Sequence, residues 1–295
     1  MDLFFEGLKN GLAMGSIYAL MALGYSMVYG IVKMINFAHS EFITIGGFVA
    51  YFVTESLLSS ILKDSIWSLI IALVIAIIVC IIIAVLTERF AYRPLRQKGS
   101  SRITALITAI GVSYILSGIM NVIEPDQQIF HTFVDKDTTF YIAIITTAVL
   151  LVLLTIFVKK TKIGIAMRAV SENEQAAKLM GINNNFIIAL TFIIGSTLAA
   201  VGVVIYLLDG EPLSFELGSV TIGLYPFVAA VIGGIGSLPG AVIGGFLIGI
   251  IKALTHTYSN LGLSPFADTI IYGIFVIILL FKPAGLLGKD MKEKV

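Results

Sequence analysis

"GSVTIGLYPFVAAVIGGIGSLPGAVIGGFLIGII", residues 218–251, carries no charged side chain. Roughly 20 apolar residues suffice to cross a bilayer as a helix, so this stretch is too long for one crossing. "GGIGSLPG" (233–240) interrupts it with glycines and Pro239, residues that end helices and make turns. The stretch therefore splits into two short crossings. That division fixes the parity of the whole chain.

Working outward, further charge-free runs cover about 10–32, 42–54 (extended back to about 36), 65–86, 103–123, 138–158, 186–208 and 269–281. With the split, nine crossings result; eight follow if 36–54 or one short segment only re-enters. Lys and Arg collect in loop 87–102, in loop 159–185 and in the tail. Acidic residues dominate 124–137 and 209–217. Basic loops face the cytoplasm. With nine crossings every loop takes its expected side, with the N-terminus outside and the C-terminus cytoplasmic.

Composition agrees. Of 295 residues, 58% are hydrophobic and 13% charged, against about a quarter charged in soluble domains. A net charge of +1 gives no reason to expect a nucleic-acid partner. Long unbroken runs exclude a transmembrane barrel, whose strands alternate. The expected fold is all-α: a polytopic bundle, one integral-membrane domain over 1–295, embedded in lipid. The start lacks a basic region before a short apolar run, so it reads as a retained span rather than a cleaved signal. Cys80 has no partner for a disulfide, and His39, His131 and His256 lack zinc spacing. No metal site, catalytic residue or nucleophile–base pair is expected. "GGIGSLPGA" lacks the Lys-Ser/Thr of a nucleotide-binding loop. Gly233, Gly234, Gly236, Gly240, Gly244 and Gly245 are read as helix-packing glycines.

Loop 159–185, "KKTKIGIAMRAVSENEQAAKLMGINNN", has structure of its own. Ser171 and Glu174 match a capping box. Gly181 suits the position just past a helix end. Between them "ENEQAAKLM" predicts a helix of about nine residues, with a Glu174–Lys178 pair, Glu172 and Glu174 near the positive helix end, and an apolar face of Ala176, Leu179 and Met180. So short a helix needs a docking surface, either this chain's own inner ends or a partner. Arg168 suits an acidic partner surface, though ordinary positive-inside bias explains it as well.

"INFAHSEF" (35–42) places polar groups beside the second run. Asn36 is expected to cap a helix at the inner face, with His39 in its first turn and Glu41 ~8 Å further in. That makes the three either a hydrated helix start or the lining of an inner gate.

"MRAVSENEQAAKLMGIN" resembles the cytoplasmic coupling loop of ABC-importer permeases: Ala176, Ala177 and Gly181 keep its spacing, with Gln175 at its Glu position. "GSIYALMALGYSMVYGIVKMINFAHSEF", "ERFAYRPLR", "AAVIGGIGSLPGAVIGG" and "KPAGLLG" resemble, in order, segments of LivH-type permeases of branched-chain amino acid ABC importers. Ser40 stands where that family usually has Gly. The resemblance implies a bacterial or archaeal plasma-membrane subunit that moves leucine, isoleucine or valine inward and is not an enzyme. It implies as partners a LivM-type permease, two LivF/LivG-type ATPase subunits that bind ATP and Mg, and an extracytoplasmic amino-acid-binding protein. The ATPase contact is expected along Arg168, Ser171, Glu172, Glu174, Ala176, Ala177, Leu179, Met180 and Gly181. Urea and short-chain amide permeases are similar and compete for the substrate assignment. An ion-coupled transporter using His39 and Glu41 is the rival class.

Overall fold

The computed structural model describes residues 2–58, 65–123, 134–213 and 222–288. Its helices are α1 (Asp2–Val32), α2 (His39–Tyr51), α3 (Ile66–Thr87), α4 (Arg93–Gln97), α5 (Arg102–Ile123), α6 (Lys136–Lys160), α7 (Lys162–Glu172), α8 (Glu174–Leu179) and α9 (Asn184–Leu208). After them come α10 (Gly223–Gly233), α11 (Leu238–Thr257) and α12 (Ala267–Phe281). Single π-helical turns extend α2 over Phe52–Leu57 and join α3 to α4 over Glu88–Tyr92. The all-helical membrane fold is as expected: among the described residues seven helices are long and apolar enough to cross a bilayer. Beside them lie the shorter apolar α10 and, between α1 and α3, α2. His131, Glu124, Asp126, Glu216, Lys289, Lys292 and Lys294 lie outside the described residues.

Local chemistry sets the helix starts. Ser65, Asp135, Asn183 and Ser237 have extended backbones, and their side chains accept the amide hydrogens of Trp67, Thr138, Phe186 and Gly240. These are N-caps for donors the helix cannot satisfy. The split expected at 233–240 is present. Gly234 and Gly236 hold φ of 107° and 91°, values that disfavour residues with a Cβ, and Ser237 and Pro239 start α11.

Small residues decide which faces pack. On α3, Ala72, Ala76, Cys80 and Ala84 are buried every fourth residue, whereas Ile70, Val74, Ile78 and Ile82 are exposed. Hydrocarbon solvates large aliphatic side chains, and small ones let helices approach. The tightest seam joins α1 to α11. A Cβ on Gly11 would lie 2.8 Å from the Ile250 Cα, and one on Gly15 2.7 Å from the Phe246 Cα. Gly245 and Gly249 abut the backbones of Ala19 and Gly15. Gly233 and Gly240 face each other across the α10–α11 turn, and Gly244 packs on Ala229. All these glycines thus have packing partners. Gly7, Gly11 and Gly15 repeat at four-residue spacing along the seam face of α1, against Thr257, Ile250 and Phe246.

Gly249→Leu is expected to drive a side chain into the α1 backbone, a strain of ~1–3 kcal/mol or more. Gly118→Leu, where a Cβ meets nothing within 4 Å, is the control. Thermal unfolding in detergent separates them, and equal midpoints would remove this seam from the account of stability.

The two ends of the bundle follow from contacts. Lys9 pairs with Asp137, joining the starts of α1 and α6. Gly30 abuts Gly236, and Gly234 abuts Gly288, so α1 ends where the described C-terminal residues lie. The first and last described residues are therefore at opposite ends.

Candidate functional site

Two places gather the residues singled out by sequence. The first is at the end of the bundle where α1 stops. There α6 runs into α7, an amphipathic helix of 11 residues, and α7 into α8, a helix of six. The expected capping box does not form. Ser171 lies within α7 and its hydroxyl donates to the Arg168 carbonyl. Asn173, with φ −155° and ψ 106°, caps α8 instead by accepting the Ala176 amide hydrogen at 2.9 Å. Glu172 ends α7 rather than starting α8. At the other end Gly181 has φ +83°, its N–H meets the Lys178 carbonyl and the Ile182 N–H meets Ala177. This is the Schellman closure that Gly181 suggested.

The faces of α8 differ from expectation. Ala177 is its buried residue. Ala176 is exposed, and Leu179 and Met180 are 88% and 82% exposed. Arg168 is exposed, and its guanidinium donates to the Lys159 carbonyl at the end of α6. Glu174 does not pair with Lys178; its carboxylate meets Arg96 Nε at 3.0 Å.

Arg96 belongs to an ion-pair chain that sequence reasoning missed. Glu88, wholly buried in the π turn after α3, holds Arg93 at 2.8 Å and Arg96 at 3.5 Å. Arg96 Nη2 also donates to Asn185 Oδ1 at 2.6 Å, and Asn184 Nδ2 donates to the Glu174 carbonyl. α8 is thus tied to the end of α3 and the start of α9 by charge-assisted hydrogen bonds, the stronger kind. Segment 87–102, read as a loop, is largely helical. The π turn explains the oversight: Glu88 and Arg93 are five apart, a spacing that an α-helix does not bring together.

The second place is deeper than expected. Lys33, with φ 57°, stops α1, and residues 33–38 run on without helix. Asn36 does not cap α2. Its Oδ1 accepts from Tyr92 Oη at 2.8 Å, and the residue before His39 lacks a side-chain cap. His39 packs against Gly24 and Gly195. Gly24 is eight residues from the Val32 end of α1 and Gly195 eleven from the Asn184 start of α9, or ~12 and ~17 Å along those helices. α2 therefore begins near mid-depth, not at the inner face.

His39 is wholly buried and Glu41 is 1% exposed, so the hydrated helix start is excluded. The structure does not join them. The His39 ring meets Tyr25 edge-on at 4.4 Å, and neither ring nitrogen has a hydrogen bond of normal geometry, although the Met21 carbonyl faces it. Glu41 Oε1 accepts from Ser113 Oγ at 2.9 Å on α5 and from Ser40. Its Oε2, like Asn36 Nδ2, is unpaired.

From the opposite direction comes α10, 11 residues long, about half a membrane at ~1.5 Å per residue. Its first residue, Gly223, abuts Ser40 so closely that a Cβ there would overlap the Ser40 side chain. Tyr25 Oη donates to the Gly223 carbonyl at 3.1 Å. The start of α2 and the start of the half-length α10 thus meet inside the bundle. Non-helical backbone at this depth is tolerated where protein encloses it. Nothing in the sequence pairs residue 40 with residue 223. Nearer the far end, Lys252 lies within α11, beyond the charge-free run, donating to Tyr18 Oη at 2.9 Å.

Comparison with known proteins gives four findings. A family model described as "Branched-chain amino acid transport system / permease component" matches residues 7–280. The "high-affinity branched-chain amino acid transport system permease protein LivH" of Escherichia coli is 37% identical, over 99% of this chain and 98% of its own. BraD of Pseudomonas aeruginosa, which carries the same description, is 38% identical over the same shares. Among solved structures, "PsaBC from Streptococcus pneumoniae in complex with Fab" aligns with a TM-score of 0.50 at 18% identity. It covers 95% of this chain and 96% of that one, a likeness of fold alone.

Proposed function

The chain belongs to the branched-chain amino acid transport system permease component family, and from that premise we propose that it is the LivH-type subunit of an ATP-driven importer. Its substrates are leucine, isoleucine and valine, carried into the cytoplasm of a bacterium or archaeon. Identity of 37% to LivH and 38% to BraD, over 99% of the chain, carries this reading. On this reading the chain is a transport subunit, and ATP hydrolysis belongs to its partners. A LivM-type permease completes the pathway, two LivF/LivG-type ATPases bind ATP and Mg, and an extracytoplasmic binding protein delivers the amino acid.

Orientation follows from charge. Arg96, Lys98, Lys160, Lys162 and Lys178 lie on the segments around α4, α7 and α8. Positive-inside bias makes that end cytoplasmic, with the N-terminus outside.

The inner assembly supports an ATPase contact at residues 171–181. Leu179 and Met180 stand out from a helix that is held through Ala177, Asn173, Glu174 and Asn184. Displacement of α8 is passed through Arg96 and Glu88 to α3, and through Asn184 to α9. Both helices pack on α2, whose start meets α10. ATP-driven closure of the ATPases shifts a two-state membrane element of this kind. Asn36, His39 and Glu41 brace the α2 side of the junction, serving as a gate rather than as substrate ligands.

The double substitution Leu179→Asp, Met180→Asp disturbs no internal contact of consequence. It is expected to reduce ATPase retention on the purified permease at least tenfold while leaving its unfolding midpoint unchanged. Full retention would refute docking at α8. Uptake of labelled leucine with excess urea or short-chain amide as competitor tests the substrate, since competition by urea would move the chain to the related amide permeases.

A further inference from the structure

A cleft of about 530 Å³ opens between α4 and α8, lined by Arg96, Glu174, Lys178, Asn183, Asn184 and Asn185 among others. Its wall is unfinished electrostatically. The Arg96 side chain is 8% exposed and held by Glu88, Glu174 and Asn185, yet its Nη1 has no partner. Asn184 Oδ1 is likewise unpaired. Lys178 stands on the rim with no ion-pair partner among the described residues, because Glu174 has turned to Arg96.

Buried polar groups are normally satisfied, and a guanidinium is shaped for a carboxylate. Arg93, Arg96 and Lys178 against Glu88 and Glu174 leave the cleft and its wall one negative charge short. Its rim continues onto Leu179 and Met180, both nearly fully exposed. A small anion would answer the charge and leave those side chains in water. A protein surface bearing an acidic residue beside an apolar hollow answers both.

We propose that this cleft receives an acidic side chain of the ATPase subunit, seated against Arg96 and Lys178, while Leu179 and Met180 enter apolar surface next to it. The proposal rests on the reading that α8 docks on the ATPase, and adds the charge that recognises the partner. It also gives the movement a route. A carboxylate arriving at Arg96 competes with Glu174 and Glu88, so docking alters the link to α3 directly.

The test uses the full transporter in detergent, with retention of ATPase subunits on the permease as readout. Lys178→Glu is exposed and bears on no internal ion pair; it is expected to lower retention at least tenfold at low salt. Retention by the unaltered permease is expected to fall with added salt, as charged contacts do. Reversing the matching acid on the ATPase, found by an Asp/Glu→Lys scan, is expected to restore binding to Lys178→Glu. Wild-type retention by Lys178→Glu at both salts, with Leu179→Asp still defective, would overturn the cleft and leave the docking reading standing. If Leu179→Asp were also silent, the docking reading itself would fall. Thermal stabilisation of the permease alone by inorganic phosphate, lost in Lys178→Glu, would mark a free-anion site and would also overturn the proposal.

Discussion

Gly223→Leu is expected to abolish amino acid uptake, by a hundredfold or more, with the protein still inserted in the membrane. Even the smaller Gly223→Ala overlaps the Ser40 side chain and crowds its Cα at 3.0 Å. Neither side yields easily, since both residues open helices inside a packed bundle. A steric defect of this kind has a specific remedy. Ser40→Gly removes the group that the new methyl strikes, so Gly223→Ala with Ser40→Gly is expected to recover most of the transport lost in Gly223→Ala. Non-additivity is the signature of direct contact. Failure of the pair to recover, with normal insertion, would mean that the junction does not govern transport.

The second large effect is expected at Glu88. Its carboxylate is wholly buried and holds two arginines. Glu88→Ala leaves Arg93 and Arg96 repelling each other beside an empty acceptor site. Removing one partner from a buried charged pair typically costs ~3–5 kcal/mol. A lowered unfolding midpoint and loss of ATPase retention are expected together, because the same carboxylate anchors Arg96 under α8. Glu88→Gln keeps the volume and one acceptor and is expected to fall between. An unfolding midpoint for Glu88→Ala equal to that of the unaltered protein would show that the ion-pair chain adds nothing to stability.

The crossings were legible because lipid enforces a simple rule: charge-free runs of about the right length become helices. The split at 233–240 was legible because glycine and proline act locally. Gly181 was legible for the same reason, needing only its own left-handed backbone. The start of α2 was misplaced because the step from 33 to 38 turns on where the chain goes after a left-handed Lys33. Composition carries no depth. Glu88, Arg93 and Arg96 were in view as a basic loop, and only the π turn brings them together. Asn173 outcompeted Ser171 because α7 occupies the residues before it, and an amphipathic helix there was not anticipated. Contacts such as Ser40 with Gly223 couple residues far apart in sequence and have no local signature.

The seam between α1 and α11 bears on how the protein is made. α1 precedes the other described helices, is the least apolar of the long spans, and is almost wholly enclosed in the finished bundle. The helix whose glycines fit its own emerges more than 200 residues later. Through most of synthesis α1 therefore waits in lipid with its small-residue stripe uncovered. Chains cut short before residue 238 never supply the cover, so the seam stays open in any such product.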